Sequence, residues 1–381
     1  MMIAGEPSGD TLAAELAQAM RRQADTEGLA LDLFGAGGPR MAEAGVEVAF
    51  DMTAHAVVGV VEVLKHYGAF RHLFHQLLDL ALARQPDIIV CVDFSGFNRR
   101  FAHALRLRVR QEGSNWRPRI VQYVSPQVWA SRPSRAEKMA RDIDLLLVIF
   151  PFEKDWYAQR VPSLKVEFVG HPMLDRYSQI PPLASPEDGT CGKEAPCVLL
   201  LPGSRVSELK RHLPVLLPAL EQIRAARPEL RFHMVLPDAK LVRLAQTFPL
   251  PAGLELQVGE LASALSHASL ALASTGTVTM ECAYFGVPTV TLYRTSWLTY
   301  EVARRVVKVR SLTMPNLLAG ENIYPEFLQE AATPTNLARA GLELLANGAR
   351  RRQIRASLTR MLATLGGPGG SQRAARAVLD W

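Results

Sequence analysis

Asp93 closes an apolar run, IIVCVD, and a carboxylate at the tip of a strand buried along most of its length is a candidate general base. A turn cap ahead of FSGFN would need the same residue. Gly203, Ser204 and Arg205 follow a second apolar run, CVLLL, and open a helix. Backbone N–H groups, the positive helix end and a fork-shaped guanidinium together suit a diphosphate. A plain strand-to-helix turn with a solvent-facing arginine would read the same way if it stood alone. It has a companion, for the run ending at Ala273 is followed by Ser274, Thr275, Gly276 and Thr277, which offer donors to the same diphosphate. Glu281 then projects from the first turn or so of the next helix, where a carboxylate accepts both hydroxyls of a ribose. The alternative is a helix-start capping acid. The packing face CAYFG and VPTVTLY that follows favours the ligand reading. Glu6, Asp10 and Glu15 are weaker candidates, Asp10 as a helix N-cap. His171 in GHP is as readily structural as functional.

The elements that must position these residues alternate along the chain. Strands are expected at 2–4, 31–34, 88–92, 120–124, 145–149 and 166–169, then at 197–201, 232–236, 254–258, 270–273 and 289–292, with helical patterns between them. Continuous apolar strands separated by helices indicate parallel sheets covered on both faces. The stretch 177–196, rich in Pro, Gly, Ser and charge, reads as a linker between two doubly wound domains. Ligands of such sheets bind beyond the carboxyl ends of the strands. The polar, turn-forming loops all fall there: AGEPSGD with Gly5, Glu6, Ser8 and Gly9; GAGGPRM; Asp93 with FSGFN; SPQVWA with Ser125 and Gln127; PGSRVSE; and STGT. They are expected to face one interdomain cleft.

The 381 residues suffice for two cores, and 48% apolar with 21% charged content is that of a globular protein. No apolar run approaches a membrane span, and MMIAGEPSGD shows no signal peptide. The chain starts almost inside its first strand, which leaves room for residues upstream. Cys91, Cys191, Cys197 and Cys282 lack metal spacing, which points to a reduced cytoplasmic protein without a structural metal, although Cys191 and Cys197 stand close in sequence. The net charge of +6 is clustered in RRFAHALRLRVR at 99–110, RRVVKVR at 304–310 and RRRQIRASLTR from Arg350. Such patches suit nucleic acid, anionic lipid or a phosphorylated substrate, or are solvated helix faces. No aromatic interleaving or nucleic-acid motif favours RNA or DNA. P-loop, His-Glu-x-x-His and Gly-x-Ser-x-Gly patterns are absent, against a nucleotide triphosphatase, a zinc hydrolase and an α/β-hydrolase. AVVGVVEVLKHYGAF at 56–70 is a core strand and helix or, beside basic patches, a groove for acyl chains.

In order, AGEPSGD, GAGGPRM, VVGVVEVL, YVSPQVWA, PFEKDWY, GHP, LLPGSR, STGTVTMECA and MPNLLAG resemble the lipid-A-disaccharide synthases, the family-19 glycosyltransferases, over essentially the whole chain. The resemblance implies a GT-B fold of two Rossmann-like domains, an acceptor domain at 1–176 completed by the C-terminal helix 355–381, and a UDP-sugar domain at 197–354. It implies transfer from UDP-2,3-diacylglucosamine to 2,3-diacylglucosamine 1-phosphate (lipid X), giving the β-1,6-linked disaccharide 1-phosphate and UDP. It also implies a cytoplasmic enzyme held peripherally at the inner membrane and its anionic surface, with no cofactor, no nucleic acid and self-association left open. By the same resemblance Asp93 deprotonates the acceptor 6-hydroxyl, Ser204, Arg205, Glu281 and the Ser274–Thr277 turn hold UDP, and Asn316 of PNLLAG is important for activity. The resemblance also implies a metal-independent, inverting transfer in which Arg205 and backbone donors stabilise the departing UDP, with Asp93 across the cleft from Arg205. Two departures stand out: Ser95 and Gly96 where the family shows a proline and a second acid, and Ser131 where it shows a tryptophan. Another GT-B enzyme such as a UDP-N-acetylglucosamine 2-epimerase, or a non-catalytic UDP-sugar or lipid binder, remains as an alternative.

Overall fold

The computed structural model describes residues 1–53, 67–113, 115–180, 195–306 and 309–380. Contacts divide the chain into two compact units, Met1–Arg176 with Leu365–Trp381, and Tyr177–Thr364. Both are parallel α/β sheets.

Among the described residues the first unit carries seven strands: β1 Met2–Ala4, β2 Phe34–Gly37, β3 Glu47–Asp51, β4 Ile88–Val92, β5 Arg119–Tyr123, β6 Leu145–Val148 and β7 Lys165–Phe168. Their spatial order is β3-β2-β1-β4-β5-β6-β7, and the pairings are parallel. β1, β4 and β6 are buried almost throughout, so each needs helices on both faces, which is why their sequences run apolar without alternation. Ile3, Cys91 and Leu146 from the sheet pack with Phe101, Leu105 and Tyr157 from the flanking helices. The chain builds outward from β1 to β3, then crosses back to place β4 on the other side of β1. The loops after β1 and β4 therefore diverge at a topological switch point, the place where such sheets open a crevice.

Among its described residues the second unit has β8 Cys197–Leu201, β9 Arg231–Leu236, β10 Leu254–Val258, β11 Ala268–Ser274, β12 Thr289–Tyr293 and β13 Glu326–Leu328. The order is β10-β9-β8-β11-β12-β13, again parallel, with its switch between β8 and β11.

Three features differ from the sequence expectation. The second strand is Phe34–Gly37 rather than 31–34, so Gly35 lies in the sheet instead of in a loop. A Cβ there would fall 1.9 Å from the Met2 carbonyl oxygen of β1, so only glycine allows the two backbones to approach. β3 and β13, both outer strands, were not anticipated; β3 alternates exposed and half-buried residues and lacks a continuous apolar run. The C-terminal boundary also moves. Helix Gly348–Ala363 belongs to the second unit, and the chain rejoins the first from Leu365 rather than from 355.

The rejoining segment is held by chemistry as well as packing. Asp175 accepts backbone N–H groups from Gly369, Gly370 (3.1 Å) and Ser371 (2.8 Å), capping helix Gly370–Leu379, whose Ala374, Ala375 and Val378 are buried. Arg373 Nε donates to Val169 O at 2.7 Å. The helix packs on Pro7–Glu27, the helix that leaves β1. Residues 54–66, most of the apolar stretch, and residues 181–194, including Cys191, lie outside the described residues. Cys91, Cys197 and Cys282 are buried free thiols.

Candidate active site

In the first unit the glycine loop and Asp93 meet at the switch point. Gly5 lies against Phe94, whose ring a Cβ on residue 5 would enter at 2.1 Å, and a Cβ on Gly9 would sit 3.8 Å from Asp93 Cβ. Glycine here lets the β1 loop lie on the end of β4. Glu6 is the half-buried N-cap residue of helix Pro7–Glu27, and Ser8 is exposed on its first turn.

Asp93 is half buried and adopts φ 47°, Phe94 has φ 39°, and Val124, at the end of neighbouring β5, has φ 68°. A β-branched residue such as Val124 is strained in the left-handed region, and three non-glycine residues with positive φ at adjacent strand ends must be held there by their surroundings. The holding groups are visible. Asn98, fully buried, donates Nδ2 to Val92 O at 3.2 Å and Asp93 O at 2.9 Å. Buried Gln122 donates Nε2 to Asp93 O at 3.2 Å and Val124 O at 3.1 Å. These bonds fix the Asp93 backbone at the strand tip.

Ser125 and Gln127 share a loop but not a role. Gln127 is exposed, whereas Ser125 is buried with its Oγ 3.0 Å from the Tyr157 hydroxyl, so Ser125 does not face an acceptor. Beneath this loop lies Glu153, which sequence reasoning passed over. It is 1% exposed and accepts from Trp129 Nε1 at 3.0 Å and Phe150 N at 3.3 Å. Burial pushes its carboxyl up to about 7, against the opposing pull of hydrogen bonds from Trp129, Phe150 and Ser125. Asp10 is also corrected. It is not the N-cap of its own helix but reaches across to accept from Gly38 N at 2.8 Å, Arg40 N at 3.0 Å and Met41 N at 3.1 Å, capping helix Pro39–Glu43. Glu15 pairs with Arg176 at 2.7 Å. Buried His171 accepts from Met173 N at 3.2 Å, and burial, then the charge of Arg176, lowers its pKa to about 4, a structural neutral imidazole.

In the second unit β8 and β11 are hydrogen-bonded neighbours, with Leu201 paired to Ala273, so the Gly203–Arg205 and Ser274–Thr277 loops leave the same edge side by side. Ser204, Arg205, Gly276 and Thr277 are exposed, Gly203 and Thr275 half buried, and Ser274 buried. Gly203 takes φ 122° and passes so close to Glu208 that a Cβ would lie 2.3 Å from its Oε2. Glu208 also accepts from Ser204 N at 3.0 Å and stands 3.5 Å from Arg205 Nη1. A carboxylate of the chain itself therefore engages two of the donors expected for a diphosphate.

Glu281 is the fifth residue of helix Thr277–Tyr284, beyond the capping position, and its Oε1 accepts from the Tyr177 hydroxyl at 2.8 Å. The helix-start capping role does not apply. Asn316 is a further correction. It is 2% exposed, donates Nδ2 to Tyr324 O at 2.8 Å and Glu326 Oε1 at 2.7 Å, and accepts from Tyr324 N at 2.8 Å. Its amide is spent on the segment 324–326, which makes it a positioning group and not one that touches substrate. His212, also missed, is fully buried and ties two loops together: Nδ1 donates to Pro202 O at 2.7 Å and Nε2 accepts from Arg294 N at 3.1 Å.

The family model for lipid-A-disaccharide synthetase matches residues 1–380. The chain belongs to the lipid-A-disaccharide synthase family. Lipid-A-disaccharide synthases of Trichlorobacter lovleyi and Geobacter sulfurreducens are 36% and 35% identical to it, covering 100% of the chain and 96% of each relative. Membership in this family makes the protein a glycosyltransferase of lipid A biosynthesis. Solved structures agree on the fold. The kitacinnamycin glycotransferase matches with a TM-score of 0.58 and 17% identity over 100% of this chain and 98% of that one. The UDP-GlcNAc 2-epimerase of Methanocaldococcus jannaschii matches with a TM-score of 0.61 and 12% identity, covering 97% of both. The epimerase likeness is one of GT-B architecture, and the family assignment goes with the synthases. Among the described residues no helix is long and apolar enough to cross a membrane.

Proposed function

We propose that the protein joins UDP-2,3-diacylglucosamine to lipid X, with the nucleotide on the second unit and the acceptor on the first. The observation that carries this reading is the placing of one set of groups at each switch point. The loops after β8 and β11 stand side by side with Glu281 on the following helix, which suits a diphosphate and a ribose. The glycine loop after β1 lies against Asp93 at the end of β4, which suits a hydroxyl that must lose a proton.

The acceptor 6-hydroxyl attacks the anomeric carbon of the donor from the face opposite UDP. The new C–O bond forms as the bond to the diphosphate oxygen breaks, the configuration inverts, and the hydroxyl proton passes to Asp93. Arg205, freed from Glu208, and the N–H groups of the two loops receive the charge that gathers on UDP. The inner-membrane surface that holds both lipid substrates is met peripherally, through the basic patches.

The test is mass spectrometry of the products from both lipids, with and without EDTA. A tetra-acyl disaccharide 1-phosphate with UDP is expected, and Asp93→Asn is expected to lower turnover at least a hundredfold while UDP still binds. Wild-type turnover in Asp93→Asn would remove the base assignment. Unconsumed substrates with a folded, UDP-binding protein would remove the acceptor.

A further inference from the structure

The second unit begins at Tyr177, and the turn at 177–180 is tied to the helix that carries Glu281. Ile180 N closes that turn by donating to Tyr177 O at 2.8 Å. Two independent ties fasten it. The buried Tyr284 hydroxyl donates to Tyr177 O at 2.7 Å and lies 3.3 Å from Ile180 O. The Tyr177 ring, itself buried, packs against those of Tyr284 and Phe285, with centroids 5.4 and 5.2 Å away. Tyr284 and Phe285 thus hold the backbone and the ring of Tyr177, and neither tie uses the Tyr177 hydroxyl.

That hydroxyl donates to Glu281 Oε1 at 2.8 Å. Glu281 is half buried and follows Thr277 by one turn of helix Thr277–Tyr284. Thr277, Glu281 and Tyr284, spaced by four and three, share one side of that helix. Thr277 ends the loop whose donors suit a diphosphate, Tyr284 holds Tyr177, and Glu281 stands between them on the helix. A glutamate side chain loses rotamer freedom when a ligand orders it, and a carboxylate already fixed avoids that loss at binding. A phenol on a packed ring is a rigid donor, and its bond to an ionised acceptor is of the stronger kind. A carboxylate offers about four lone-pair sites, so a bond from Tyr177 is compatible with two from sugar hydroxyls.

We propose that Tyr177 is a positioning residue for the nucleotide, its hydroxyl fixing the Glu281 carboxylate where it receives the 2′- and 3′-hydroxyls of the ribose. The role rests on the reading that Glu281 holds that ribose. It makes the first residue of the second unit part of the donor site without a contact to substrate. Removing the phenol oxygen leaves Glu281 chemically intact and loosens its hold on the ribose alone, since the diphosphate meets the loops after β8 and β11.

Calorimetry compares UDP with 2′,3′-dideoxy-UDP on the full chain, for wild type, Glu281→Ala and Tyr177→Phe, with melting curves alongside. Wild type is expected to favour UDP at least tenfold, and Glu281→Ala to lose that preference. Tyr177→Phe is expected to reduce the preference to about threefold or less by weakening UDP, with affinity for the dideoxy nucleotide unchanged. In turnover the same variant should raise KM for the UDP-sugar with kcat kept. If Tyr177→Phe melts early, Tyr284→Phe supplies the comparison, because it loosens the same turn and leaves the Tyr177 hydroxyl in place. A preference lost in Tyr177→Phe and kept in Tyr284→Phe supports the role, and equal losses overturn it. A wild-type preference retained in Tyr177→Phe would overturn the proposal while the ribose reading stands, and an equal fall for both nucleotides would reduce Tyr177 to folding. A wild type without the preference, or a preference that survives Glu281→Ala, would sink the ribose reading of Glu281 itself and the role of Tyr177 with it.

Discussion

At Glu153 two requirements oppose each other, for a carboxylate is drawn to the Trp129 indole and the Phe150 N–H while burial favours its neutral form. Its folded pKa of about 7 stands above the ordinary 4.5. Stability from this group is thus fully present below pH 4.5 and is lost as pH rises through 7, a difference of about 3 kcal/mol. Glu153→Gln keeps the shape without the charge, so its melting temperature is expected to fall less than that of wild type between pH 5 and pH 8. Parallel melting curves across that range would show that the carboxyl is not held neutral. Nothing in PFEKDWY distinguishes Glu153 from an ordinary helix-start acid, because its burial comes from Trp129 and Phe150. Ser125 and Asn316 were misread for the same reason, since Tyr157, Tyr324 and Glu326 consume their polar groups. The placing of Asp93 and Gly203 just past strand ends, and of Glu281 on the helix after β11, was legible because strand tips and glycine turns are local signals.

At the scale of elements the sheets follow from the apolar runs, and the loops worth attention from the strand ends. The outer strands β3 and β13 escaped because an edge needs neither a continuous apolar run nor much length. What local pattern does not reveal is how loops are tied to each other. Buried His212, on helix Val206–Ala226, joins the loop after β8 to the residue after β12 through Pro202 and Arg294. Burial lowers its pKa, so both contacts are made by the neutral ring. His212→Phe leaves a carbonyl and an N–H unpaired, which is expected to cost about 2 to 4 kcal/mol and to weaken UDP binding, read by denaturant titration and calorimetry. Unchanged UDP affinity in a destabilised variant would confine His212 to folding.

Across the whole molecule the first unit is discontinuous in sequence, completed by residues that follow the entire second unit. Asp175 is the fastening point, receiving three backbone N–H groups at the start of helix Gly370–Leu379. Asp175→Ala is expected to cost about 1 to 2 kcal/mol and to expose the C-terminal segment to protease before the second unit is cut. Cleavage at the same rate in both proteins would show that packing on helix Pro7–Glu27 alone secures the segment.

That discontinuity reverses the order of completion on the ribosome. Residues 1–176 are synthesised first, yet they wait for 365–381, whereas residues 177–364 are contiguous and can close as soon as they emerge. Helix Pro7–Glu27 therefore spends nearly the whole of translation with the side that meets helix Gly370–Leu379 uncovered.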